Sequence, residues 1–208
     1  MAEEQTTQFY FIRHAESEFN RKHMEEVNAQ GHGLEKEHLI EEADHVKWNS
    51  ELFDCSISEL GKQQAKEANS EAKKLDISLV VVSPLRRALQ TAQIIFEGHP
   101  SNPKILVQPL MREALCSSCD VPANISDLKQ EFEGFDWSLL SEAQGTWYLS
   151  HIDNPEVAEL DQDMEKQGLT YAQRQLKILE FIKARVSPDC ETPTWRSRLD
   201  KAKANFRE

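Results

Sequence analysis

Three short apolar runs, and the helical spacing between them, set the expectation for this chain. Phe9-Tyr10-Phe11-Ile12 are consecutive apolar residues that run straight into Arg13-His14. A continuous run of this kind reads as a buried parallel strand, with helices covering both faces. Ile77-Ser78-Leu79-Val80-Val81-Val82 is the second such strand, and Lys104-Ile105-Leu106-Val107-Gln108 is the third. Ser58 is placed to cap a helix that carries Gln63, Ala65, Ala68 and Ala72 to about Leu75. Ser83-Pro84 turns the chain from the second strand into a helix that begins at Arg86-Arg87 and closes with Ile94-Ile95-Phe96. From Met164 to about Val186 the pattern predicts one amphipathic helix, with Leu169, Ala172, Leu176, Leu179 and Ile182 on one face. Ser187-Pro188 stops it, and Leu199, Ala202 and Phe206 predict a short final helix. Strands alternating with helices give an α/β chain with a mostly parallel sheet.

Two stretches lack this patterning. Asn20 to Phe53 is charged, with few regularly spaced apolar residues, and reads as a solvated loop with a polar helix. Its length between strand and helix suits a lid or substrate loop. It holds His23, His32, His38 and His45, whose spacings match no helical ligand pair, so no metal is expected. Residues 114–161 carry short turns, acids and the aromatics Phe132, Phe135, Trp137, Trp147 and Tyr148. They read as a cap-like insert beside the sheet, with the aromatics in the core. Cys116-Ser117-Ser118-Cys119 is a lone CxxC without a second pair, and neither zinc nor redox chemistry is expected of it. The organisation expected is a single domain over 1–208, with a loop insertion at about 21–53 and the cap at about 114–161.

Charge changes the picture of the partners. A formal net charge of −12 argues against nucleic acid and against anionic membranes. An anionic substrate therefore needs a local cluster of cations and donors. No apolar stretch approaches the ~20 residues of a membrane span. Met1-Ala2-Glu3-Glu4-Gln5 is acidic and polar, unlike a targeting peptide. Four scattered cysteines form no disulfide framework, so a cytoplasmic address is expected. The candidate cluster is Arg13-His14, at the carboxyl end of the first strand, where open α/β sheets bind ligands. The second strand also ends on arginines, Arg86-Arg87, in the first turn of a helix. That position opposes the helix dipole unless the cations have partners, while the helix start itself favours an anion. A forked cation beside an imidazole is the start of a phosphate site.

These residues carry a resemblance to the histidine phosphatase superfamily, also called phosphoglycerate mutase-like. The first signature, Arg-His-Gly-Glu with a following Asn, resembles Arg13-His14-Ala15-Glu16-Ser17-Glu18-Phe19-Asn20. The linker Asp-x-x-Leu-Thr-x-x-Gly resembles Asp54 to Gly61, and Ser-Pro-Leu-x-Arg-Ala-x-Gln-Thr-Ala is matched at Ser83 to Ala92. Leu110-Met111-Arg112-Glu113 resembles the segment that carries the family's acid. Residues 125–140 also resemble the insert of the plant and protist branch. The resemblance implies a three-layer α/β/α fold with a mostly parallel sheet flanked by helices. It implies that His14 is the nucleophile of a phosphohistidine mechanism and that Arg13 and Arg87 clamp the phosphoryl oxygens. Glu113 is then the proton donor, with Asn20, Ser58 and Arg86 as substrate-side contacts and no cofactor or metal required. The implied activity is a phosphatase acting on a small phosphoester.

Two departures qualify this. Ala15 stands where the family has Gly, which adds a methyl beside the nucleophile. The family's second histidine lies on a further buried strand after the last long helix, and nothing after Val186 resembles that strand. His151 lies before the helix and does not take the role. The fold expected is thus phosphoglycerate mutase-like but lacking the last catalytic strand, with an open central edge that favours a homo-oligomer. The reading frame continues past Glu208, or the chain is a binding-only pseudo-phosphatase holding a phospho-ligand or protein partner, or another residue fills the role. A phosphoglycerate mutase fits less well, because the family's mutases carry longer inserts than residues 114–161.

Overall fold

A parallel βαβ unit lies at the centre of the computed structural model, which describes residues 8–30, 44–113, 115, 117–140 and 155–185. In chain order come α1 (Glu18–Gln30), a one-turn α2 (Asp44–Lys47), α3 (Glu59–Ala72), β1 (Leu79–Val82), α4 (Arg86–Ile95) and β2 (Lys104–Val107). Then follow α5 (Ile125–Glu131), α6 (Pro155–Lys166) and α7 (Tyr171–Arg185). β1 pairs with β2 in parallel from Leu79↔Lys104 to Val82↔Val107, and α4 is the crossover between them. Asp136 extends the sheet by one parallel bridge, its N–H donating to the Ile105 carbonyl at 2.8 Å while Val107 N–H donates to its own carbonyl at 2.9 Å. The class is the α/β architecture that the alternation of elements predicts.

Local chemistry explains the helices around this unit. Ser58 caps α3 as expected, its Oγ accepting from Gly61 N–H at 3.0 Å. Gly61 is required for packing, since a Cβ there would lie 2.1 Å from the Glu16 carbonyl oxygen. The buried Ala65 and Ala72 keep α3 close to α4 around Ile57 and Ile95. The main core joins Val82, Leu89 and Val107 to Val121, Ile125, Leu128, Phe132 and Leu140. The insert's Phe132, Phe135 and Trp137 belong to or pack on this core, as the sequence predicts. Burying Phe132 and Leu128 alone stabilises the fold by about 1.5–3 kcal/mol each.

The first predicted strand is not a strand. Phe9, Tyr10, Phe11 and Ile12 belong to no strand and make no ladder, and Phe9 is 73 % exposed. An apolar run becomes a strand only where a neighbour supplies its hydrogen bonds and its cover. Among the described residues, β1's one neighbour is β2. The second run is likewise shorter and less covered than predicted, with Val82 buried and Leu79 exposed. The single helix predicted from Met164 is two helices. Gly168 breaks it at a positive φ of 79°, and Thr170 with Gln173 forms a reciprocal cap that starts α7. His32, His38, Cys116, Trp147, Tyr148, His151 and the predicted final helix lie outside the described residues.

Candidate active site

Three segments build the surroundings of His14 and Arg87. The first, residues 14–18, pairs with the 56–58 linker by one antiparallel bridge, Ser17↔Ile57. Ser58 N–H donates to Glu16 O at 2.8 Å and Glu18 N–H to Ser56 O at 2.9 Å. The second, α4, holds both through its side chains. Thr91 Oγ1 accepts from Ala15 N–H at 3.0 Å and donates to the Arg87 carbonyl at 2.7 Å. Gln90 Oε1 accepts from Ile57 N–H at 2.9 Å. The third is the turn Ser117–Asp120, which lies against Arg87.

The arginines at the start of α4 have the partners that the dipole argument demands. No side chain of the flanking residues caps this helix. Asp54 reaches it from the linker instead, its Oδ1 accepting from Arg86 N–H at 2.7 Å and its Oδ2 from Ala123 N–H at 3.0 Å. Asp54 sits at a positive φ of 41° and is buried, and burial raises its carboxyl above the ordinary range against these two N–H bonds. The Arg86 guanidinium pairs with Glu131. Arg87 donates through Nη1 to Cys119 O at 2.6 Å and through Nη2 to Asp120 Oδ1 at 2.9 Å. Burial disfavours the Arg87 cation, yet Cys119, Asp120 and Glu113 around it more than offset that.

His14, Arg87 and Glu113 form one constellation. His14 Nδ1 lies 2.7 Å from the Ala15 carbonyl. A carbonyl only accepts, so Nδ1 carries the hydrogen, and in the neutral ring Nε2 keeps its lone pair. Nε2 lies 3.8 Å from Glu113 Oε1, and Glu113 Oε2 lies 3.3 Å from Arg87 Nη2. The imidazole is 9 % exposed against 58 % for the carboxylate, so the nitrogen is held while the acid faces solvent. Burial lowers the His14 pKa below its ordinary 6.5, and the Arg87 and Arg13 charges lower it further, against the Ala15 bond and Glu113. The imidazole is therefore neutral at pH 7. A neutral nitrogen, a fixed cation and an exposed carboxyl suit attack on an anionic, electrophilic centre with proton transfer to its leaving group.

The other sequence-predicted residues have their own surroundings. Arg13 is exposed, and its charge reaches His14. Asn20 and Ser17 cap α1 reciprocally, with Asn20 Oδ1 accepting from Ser17 Oγ at 2.9 Å. Ser58 is buried, its hydroxyl shared between Gly61 N–H and Glu16 Oε1. Cavities of about 730 Å³ and 370 Å³ flank α1, and neither is lined by His14 or Glu113. Among the described residues no three His, Cys, Asp or Glu side chains gather as metal ligands. The supporting roles of Asp54, Thr91 and Asp120 went unread in the sequence. Asp54 and Thr91 stand inside signature segments, whereas no local pattern marks Asp120.

The geometry defines an α/β protein with a histidine beside a buried arginine at a helix start. Residues 45–137 match the profile of the histidine phosphatase superfamily (branch 1). A probable phosphatase of Schizosaccharomyces pombe is 33 % identical over 93 residues, 43 % of this chain and 43 % of that protein. The fructose-2,6-bisphosphatase TIGAR B of Danio rerio is 33 % identical over 104 residues, 49 % of this chain and 32 % of its own. An agropine synthesis reductase of Rhizobium rhizogenes is 41 % identical over 86 residues, 41 % of this chain and 17 % of its own. Each match thus spans less than half of the relative. No solved structure matches. Among the described residues no helix is long and apolar enough to cross a membrane.

Proposed function

We propose that the chain is a phosphoric ester hydrolase that acts on a small phosphoester through a phosphohistidine on His14. The observation that carries this reading is the His14–Glu113–Arg87 constellation, with Nδ1 tied to Ala15 O and Nε2 turned to Glu113. Nε2 attacks phosphorus as the ester P–O bond breaks, and Glu113 gives its proton to the departing oxygen. Arg87 and Arg13 hold the phosphoryl oxygens in line, supplying positive charge where the transition state spreads it. Water then attacks phosphorus, Glu113 takes its proton, and the N–P bond breaks to release phosphate. The phosphatase names of the Schizosaccharomyces pombe and Danio rerio relatives support the reaction class. We place the protein in the cytoplasm.

Turnover of p-nitrophenyl phosphate by the purified chain tests this. His14→Ala should abolish it, and a trapped intermediate should be acid-labile and base-stable. Turnover that survives His14→Ala would sink the mechanism. A binding-only protein is the second reading, favoured because the described residues bring one histidine, not two, to Arg87. Orthophosphate binding without any turnover by the wild type would select it.

A further inference from the structure

The Arg87 guanidinium is buried and held on one side by a single turn. Its side chain is 3 % exposed and that of Asp120 is 2 % exposed. Asp120 in turn cannot rotate freely. Its Oδ2 accepts from Ser117 N–H at 3.1 Å and from Ser117 Oγ at 2.8 Å, closing the turn Ser117–Asp120 on itself. Its Oδ1 is thereby aimed at Arg87 Nη2 at 2.9 Å, and the Cys119 carbonyl of the same turn takes Nη1 at 2.6 Å. A guanidinium has five donors in a rigid plane, so fixing two nitrogens fixes where the rest of the fork points. That plane reaches Glu113 Oε2 at 3.3 Å, on the side of His14.

We propose that Asp120 is the positioning residue of the phosphate clamp, a buried carboxylate that ties the Ser117–Asp120 turn to Arg87 and orients the guanidinium toward His14. The proposal rests on the reading of Arg87 as a phosphate ligand given above. Asp120 repels an arriving phosphate, so its value to the site is geometric. A fork allowed to swing must be ordered when the anion arrives, and misplacement of a catalytic group by about 1 Å can cost about 10²-fold.

The test uses the whole chain, orthophosphate titrated by calorimetry and p-nitrophenyl phosphate turnover. Asp120→Ala should weaken orthophosphate binding and lower kcat/KM, together, by about 10²-fold. Asp120→Asn keeps an oxygen for Nη2 and should recover a large part of both. Ser117→Ala removes the Oγ bond to Asp120 but keeps the N–H bond, so its losses should lie between wild type and Asp120→Ala. In an Arg87→Ala background, adding Asp120→Ala should cost no more than about a further twofold. Wild-type phosphate affinity in Asp120→Ala, an equal loss in Ser117→Ala, or fully multiplicative losses in the double variant would overturn the proposal. Should Asp120→Ala not fold, Asp120→Asn and the Arg87 background decide it. If Arg87→Ala binds phosphate like wild type, the phosphate-site reading itself fails and takes this proposal with it. If Arg87→Ala loses binding and Asp120→Ala does not, the positioning role alone is wrong.

Discussion

Arg87 and Arg174 are assembled from the same parts and end in different work. Each stands in the first turns of a helix, is buried, and pairs with a buried aspartate, Arg87 with Asp120 at 2.9 Å and Arg174 with Asp161 at 3.0 Å. Each donates to a carbonyl, Arg87 to Cys119 and Arg174 to Leu169, and each meets an exposed glutamate, Glu113 at 3.3 Å and Glu165 at 3.5 Å. The difference lies one contact further out. Glu113 also faces His14 Nε2, whereas Arg174 lies 5.8 Å over the Tyr171 ring and ties α7 to α6. Burial raises the Asp161 carboxyl above its ordinary range despite the Arg174 charge, and Asp161 Oδ2 has no hydrogen-bond partner. That is the signature of a pair whose desolvation is poorly offset. A buried arginine–aspartate pair is thus no site by itself; the imidazole beyond the glutamate is what sets the proposed site apart.

The comparison can be broken most forcefully at Arg87. Arg87→Ala should lower kcat/KM for p-nitrophenyl phosphate by about 10²–10³-fold, as losing one oxyanion donor does, and parity with wild type would refute the clamp. Arg174→Ala should do the opposite. It should cost about 3–5 kcal/mol in chemical denaturation, since Asp161 stays buried without its cation, yet leave phosphate affinity unchanged in the folded fraction. Replacing the second pair outright, as Arg174→Met with Asp161→Leu, should be neutral or stabilise the protein by about 1–4 kcal/mol. A loss of stability equal to that of the single variant would mean the pair is well satisfied.

The smallest effect is in pH. His14's folded pKa lies below 6.5, so its neutral form persists below that value and the acid limb of kcat/KM should fall at pH under 6.5. The sign for stability agrees. The unfolded histidine binds the proton first, so this contribution is complete above pH 6.5 and is lost as pH drops through the folded pKa. Arg87→Ala removes one of the lowering charges and should move the acid limb upward, while Arg174→Ala should leave it in place.

What the sequence made legible is what local rules control. Ser58 before α3, the Ser83-Pro84 turn into α4 and the Lys104–Val107 strand follow from caps, breakers and short apolar runs. The two arginines in the first turn of α4 announced that partners were needed, though not which. Phe9–Ile12 misled because its composition is a strand's, while strand formation depends on a neighbour the run itself cannot encode. The break at Gly168 was readable, since Gly168 and Thr170-x-x-Gln173 are a stop and a start, but the apolar period through Leu169 and Leu176 masked it. Leu176 is exposed. Asp120 was hidden for another reason: its link to Arg87 spans 33 residues, and only the folded chain brings them together.

The attachment of residues 14–18 carries one more implication. This segment is no member of the sheet, and a few bonds from Thr91, Gln64 and the 56–58 linker secure it. The peptide that carries His14, the nucleophile we propose, can therefore detach while β1, β2 and α4 stay folded, a local opening well below the global unfolding free energy. In heavy water, the Ala15 and Glu16 amides should exchange ahead of those of Val82 and Val107, marking the His14 segment as the part of the molecule that breathes.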